Sequence, residues 1–166
     1  MVADGLLTRQ RYREVPPRVD YELTERSREL MPVLGALARW GYDWTWSAPR
    51  SGEDVNVGAI FRLAPGMLTP PSQLEGTVEL VVDARGDLPE RRFQLTLAGG
   101  HVEIAEHDEA ETEPHARVTG PVSAWVAALG PEGAPDGLRV EGAEALADTV
   151  LSGFASASAR RAAQAA

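Results

Sequence analysis

Pro16 and Pro17 stand between two runs in which apolar and polar residues alternate, Leu6 to Arg13 and Arg18 to Thr24. Adjacent prolines remove two backbone donors and restrict two φ angles, so a sheet ladder cannot run through them and the chain must turn. The runs are therefore predicted to be the two strands of a hairpin, closed by the four residues Glu14 to Pro17. A four-residue turn sets Arg13 opposite Arg18, Arg11 opposite Asp20 and Arg9 opposite Glu22. Opposite charges facing across strands contribute roughly 0.2 to 1 kcal/mol per pair. Arg13 and Arg18 have only each other in that register, and two cations at a hairpin tip are a place for an anion.

A helical pattern begins directly after Thr24. Leu30, Val33, Leu34, Leu37, Gly41 and Trp44 recur at three- and four-residue steps, which predicts one apolar stripe along a helix from Glu25 to about Trp44. Thr24 suits its N-cap, although Ser27 stands where a capping box has Glu or Gln. Pro32 falls inside this span and predicts a kink, because an interior proline costs roughly 3 kcal/mol.

The polar stretch SAPRSGED, Ser47 to Asp54, separates this region from a second pattern. Val55 to Met67 reads as either a valine-rich strand or a helix, and the stripe Val55, Ala59, Ile60, Leu63, Met67 inclines it to helix. Beyond it, residues 76–84, 91–99, 100–108 and 115–120 alternate like four strands of a meander. Val122, Trp125, Val126 and Leu129 mark a short helix. A glycine-bounded LRVEG segment and a last helix from about Ala143, with Leu146, Val150 and Phe154 on one face, complete the chain. Two domains are expected, residues 1–48 and 54–158.

Composition narrows the function. The chain has 166 residues, no cysteine and no apolar run approaching a membrane span, which predicts a cytoplasmic protein without disulfides, thiol chemistry or thiolate metal sites. Charge is uneven: residues 1–50 hold eight arginines against seven acidic residues, whereas residues 51–166 hold eight against 18. Only the first segment suits a polyanion. No nucleophile elbow, dinucleotide fingerprint or phosphate loop occurs, so no catalytic residue, cofactor or enzymatic activity is expected. His101, His107 and His115 stand among many carboxylates, but their spacing fits an acidic solvated loop better than a metal site.

The string PPRV-x-YELT, preceded by VADGLLTR, resembles the wing and following helix of HxlR-type (MarR-like) winged helix-turn-helix transcription regulators. In that family three helices, one of them the recognition helix, precede the wing. The resemblance implies that this chain is the C-terminal part of a longer bacterial regulator, with Arg13, Arg18, Arg11 and Arg9 as DNA-contacting residues. It also implies a homodimer. HARVTGPVSAWVAALG and GLRVEGAEALADTVLSGF resemble the sterol carrier protein type 2 fold. That resemblance implies a mainly antiparallel sheet covered by helices and a hydrophobic ligand, with Phe61, Met67, Leu68, Trp125, Leu129, Val150, Leu151 and Phe154 as candidate lining residues. The fold class expected is α+β, a partial winged helix (hairpin wing plus long helix) followed by a sterol carrier-like domain. A regulator sensing a small hydrophobic molecule is the leading expectation. A stand-alone lipid-binding carrier is the rival, favoured by the net charge of −9. Trp40, Trp44 and Trp46 are expected to cover either the second domain or a second subunit.

Overall fold

A hairpin opens the chain: β1 (Leu7–Tyr12) pairs antiparallel with β2 (Arg18–Leu23). The computed structural model describes residues 1–12, 18–50, 53–108, 112–130 and 133–164, and for residues 11, 12, 18, 20, 43 and 156–164 it describes the backbone alone. Five residues, not four, separate the strands, so the register slips by one: Arg9 faces Tyr21, Arg11 faces Val19 and Tyr12 faces Arg18. The cross-strand charge pairs expected for Arg9 with Glu22 and Arg11 with Asp20 are therefore replaced. An odd turn length exchanges every partner by one position, which alternation within the strands cannot reveal.

Thr24 caps the next element as expected. Its hydroxyl accepts from the Ser27 amide at 3.3 Å and donates to the Gly5 carbonyl at 2.8 Å. The expected long helix is two helices, α1 (Glu25–Arg28) and α2 (Met31–Thr45). Pro32 is the cause: lacking an N–H it cannot continue α1, but it fits the first turn of α2, where amides have no helical partner anyway. The stripe read from the sequence faces outward. Val33, Leu37, Trp40 and Trp44 are exposed, while Gly35 is buried and Ala38 and Tyr42 pack on the core of the second half.

The ambiguous segment after the linker is helical, as α3 (Val57–Phe61) and α4 (Ala64–Met67). There follow β3 (Gly76–Val82), β4 (Arg91–Ala98), β5 (His101–His107), β6 (Ala116–Gly120), α5 (Val122–Leu129), β7 (Arg139–Gly142) and α6 (Glu144–Gln164). The sheet order is β5-β4-β3-β6-β7. Only the first three strands form the expected meander. The chain then crosses to the other side of β3, where β6 pairs with it in parallel, and β7 closes the edge antiparallel to β6. This puts the most apolar strand, with Val78 to Val82 all buried, in the centre of the sheet, where both its edges are bonded.

One sheet face carries the core. Val78, Leu80, Phe93, Leu95, Leu97 and Val118 lie beneath helices α3 to α6 in a single apolar cluster. The architecture is the expected α+β, a mainly antiparallel sheet covered by helices.

Candidate functional site

The eight residues expected to line a ligand site come together. Phe61 from α3, Met67 and Leu68 from α4 and its end, Trp125 and Leu129 from α5, and Val150, Leu151 and Phe154 from α6 all belong to the cluster between the helices and the sheet. Phe61 sits at its middle, edge-on to Trp125 at 4.8 Å and to Phe93 at 5.2 Å, with Phe154 at 6.2 Å. Edge-to-face rings add about 0.5–1.5 kcal/mol beyond their area. The Trp125 indole N–H donates to the Val81 carbonyl at 2.9 Å, so the one polar atom of this wall is satisfied inside the core.

A small, partly open pocket of about 40 Å³ lies between Leu68, Thr69, Pro70, Leu97, Thr149, Val150 and Gly153. Leu68 lies directly over Gly153, where an added Cβ would overlap its Cδ2. The Leu68 side chain thus closes the space above Gly153. Wider grooves open at one end of the sheet: about 260 Å³ between Val57, Val82, Arg85, Leu88 and Arg91, and about 420 Å³ beside it between Pro49, Val55, Arg85 and Val126. Above the first, Arg91 donates to Asn56 at 3.2 Å and to Glu106 at 2.8 Å, and its guanidinium lies 5.1 Å from the Phe93 ring. The hydrogen bond from Arg91, helped by the charge of Arg62, holds the Glu106 carboxyl below its ordinary value.

Of the wing arginines, Arg9 is exposed with its guanidinium 5.9 Å over the Tyr21 ring. Arg11 and Arg18 occupy β1 and β2, and Arg13 lies outside the described residues. Among the described residues no group of three or more His, Asp or Glu side chains could hold a metal ion.

Two features had no sequence expectation. Glu79, in the middle of β3, has no exposed surface and lies on the sheet face away from the helices, where Arg117 Nε donates to it and Arg92 and His107 stand 3.8 Å away. That hydrogen bond raises the Arg117 pKa. The second is the approach of α2 to α4. A Cβ on Gly35 would overlap the Gly66 carbonyl, and Arg39 Nη1 donates to the Gly66 and Met67 carbonyls at 2.9 and 3.2 Å. Gly35 and Arg39, one helical turn apart, were the only trace of it in the sequence. Burial against the core raises the Tyr42 pKa.

Known structures overlap loosely with the chain. Palmitated SCP2L2 from Aedes aegypti superimposes with a TM-score of 0.41 and 15% identity, covering 59% of this chain and 90% of that one. A conserved hypothetical protein of Thermus thermophilus, described with reference to sterol carrier protein, gives 0.40 and 17%, covering 68% and 95%. Sequence relatives match only the start. An uncharacterized HTH-type transcriptional regulator of Methanothermobacter thermautotrophicus is 45% identical over 51 residues, 31% of this chain and 39% of its own length. One from Synechocystis is 52% identical over 40 residues, 24% of this chain and 30% of its own length. The chain thus spans well under half of the curated relatives it matches. Residues 1–48 match the HxlR-like helix-turn-helix family, and over that segment the chain is similar to HTH-type transcriptional regulators.

Proposed function

We propose that the chain works as an HxlR-type transcription regulator, with a wing domain at residues 1–48 and a ligand-sensing domain at residues 54–158. The observation that carries this reading is the HxlR-like match over the hairpin and its helices. Arg9, Arg11, Arg13 and Arg18 are the proposed contacts to phosphate or the minor groove. Such contacts set affinity and position; sequence is read from base edges. The polypeptide by itself is therefore expected to bind DNA weakly and without sequence preference. The second domain takes a small hydrophobic molecule among Phe61, Met67, Leu68, Trp125, Leu129, Val150, Leu151 and Phe154, and has no enzymatic role. Its support is the convergence of these side chains from four elements in one apolar cluster, with Leu68 and Val150 at the edge of a pocket of about 40 Å³. The open stripe of α2, with Val33, Leu37, Trp40 and Trp44, is the proposed dimer face of a cytoplasmic homodimer.

The test is a thermal-shift panel of fatty acids and sterols. A ligand at a hundred times its Kd stabilises the folded state by about 2.7 kcal/mol, which for a chain of this size raises Tm by roughly 5 to 10 °C. No shift with any member of the panel removes the ligand-sensing reading. The rival reading, a lipid carrier, draws on the 18 acidic residues against eight arginines in residues 51–166. A ligand shift in a protein without DNA affinity at low salt selects the carrier.

A further inference from the structure

We infer that α2 and α4 move as one body, so that an apolar guest displacing Leu68 displaces α2 as well, the helix joined through α1 to the wing. This rests on the ligand-sensing reading and specifies how that site would act on the N-terminal segment.

The contact is made by backbone. A Cβ on Gly66 would overlap the Met31 carbonyl and lie 3.2 Å from Gly35 Cα, so two helices touch with no side chain between them. Side chains ordinarily hold helix axes about 8–10 Å apart and let them slide by rotamer changes; backbone against backbone has no such slack. Arg39 then locks the position. It donates to two carbonyls at the C-terminal end of α4, a helix end whose carbonyls have no helical partners. A cation there is also favoured by the helix dipole.

α4 has only four residues and cannot hold its own shape, since isolated helices shorter than about 12 residues are marginal. Its place is set from two sides. On one side Met67 and Leu68 are sunk in the apolar cluster, with Leu68 seated over Gly153 beside the pocket of about 40 Å³. On the other side Gly66 is held by α2. Only Met67 stands between the plug, Leu68, and the clamped Gly66, too short a span to absorb a displacement.

From α2 the path continues to the hairpin. The Leu30 amide donates to the Ser27 carbonyl at 3.1 Å, joining α2 to α1, and the Ser27 and Thr24 hydroxyls donate to the Leu6 and Gly5 carbonyls at the start of the wing. Each joint is a hydrogen bond or a backbone contact. A shift of α4 therefore has a continuous solid route to the wing.

Hydrogen exchange on the full chain, with palmitate as the probe, tests the coupling. In the wild type, palmitate is expected to change exchange at least threefold in residues 63–68 and also in residues 31–45. In Arg39→Met the response of 63–68 should persist while that of 31–45 falls below threefold. A wild type that responds at 63–68 alone overturns the coupling and leaves ligand sensing standing. Should palmitate change neither segment, ligand sensing fails, and the coupling is decided without ligand by Leu68→Ala, or the milder Leu68→Val. Either should speed exchange in 31–45 at least threefold, with strands β3 and β4 unchanged, and Arg39→Met, which leaves the backbone contact in place, should reduce that effect. An unaltered α2 in both Leu68 variants overturns the inference.

Discussion

Glu79 shows how a polar position in an alternating strand becomes buried. Alternation assigns it to the face away from the core, where a single sheet would leave it to solvent. Arg117 and Arg92 on the flanking strands close over it, and their charges compensate a carboxylate that water no longer reaches. Partners this far apart in sequence come together only through the order of strands. Glu106 is a simpler case, because its depressed pKa gives a sign that solution measurements can check. A carboxyl whose folded pKa lies below its unfolded value adds stability that is fully present above the ordinary value of 4.5 and is lost as pH falls through the lower, folded value. Glu106→Gln is therefore expected to flatten the loss of stability on acidification just below that ordinary value. The carboxylate is partly exposed, so solvent screening keeps the effect under about 1 kcal/mol. Urea denaturation at a series of pH values measures it, and an unchanged acid slope would show that the pairs with Arg91 and Arg62 contribute nothing.

Elements carry their own predictions. Pro32 discriminates between one helix and two. Within a single helix from Glu25 to Trp44, replacing it by alanine would restore a hydrogen bond and stabilise by roughly 3 kcal/mol. In the first turn of α2, where the ring already fits, Pro32→Ala only loosens the unfolded chain and should destabilise by about 0.4 to 1 kcal/mol. Denaturant midpoints decide between the two signs. Most elements were legible from period and punctuation: the hairpin, the capping threonine, the strands β3 to β6, α5 and α6. The break at residues 29–30 was signalled by Pro32 but set aside, because a proline at about this point looks normal in the HxlR-type helix that the segment resembles. The one-residue slip in the wing was hidden, because alternation within a strand is the same whether the turn holds four residues or five.

At the scale of the whole molecule, α2 is apolar on two sides. Its inner side, with Gly35, Ala38 and Tyr42, is seated on the second half of the chain, and Trp46 reaches Gly130 there, where an added Cβ would lie 3.1 Å from the indole. Its outer side leaves Val33 63%, Leu37 60% and Trp44 69% exposed. Of the three tryptophans expected to cover the second domain or a second subunit, Trp46 packs inward on the second half, and Trp40 and Trp44 are exposed. If the outer side is the dimer face proposed above, sedimentation equilibrium should find a species of twice the chain mass of 17.8 kDa. Leu37→Glu with Trp40→Glu should reduce it to a monomer without lowering Tm. A wild type monomeric at tens of micromolar removes the homodimer.

The apolar cluster was legible as a set of residues and not as a packed arrangement. Helical spacing picks out Trp125, Leu129, Val150 and Phe154 as inward-facing, but it cannot say how completely their side chains fill the space they enclose. The sequence by itself determined which segments become strands and helices, where most of them start and stop, and which residues the second half buries, because propensity, period and capping act within a few residues. Only the tertiary structure decided that β6 joins β3, that Glu79 meets Arg117, and that Gly35 lies on Gly66. Those outcomes depend on which surfaces fit one another across tens of residues, and complementarity of that kind leaves no local pattern in the chain.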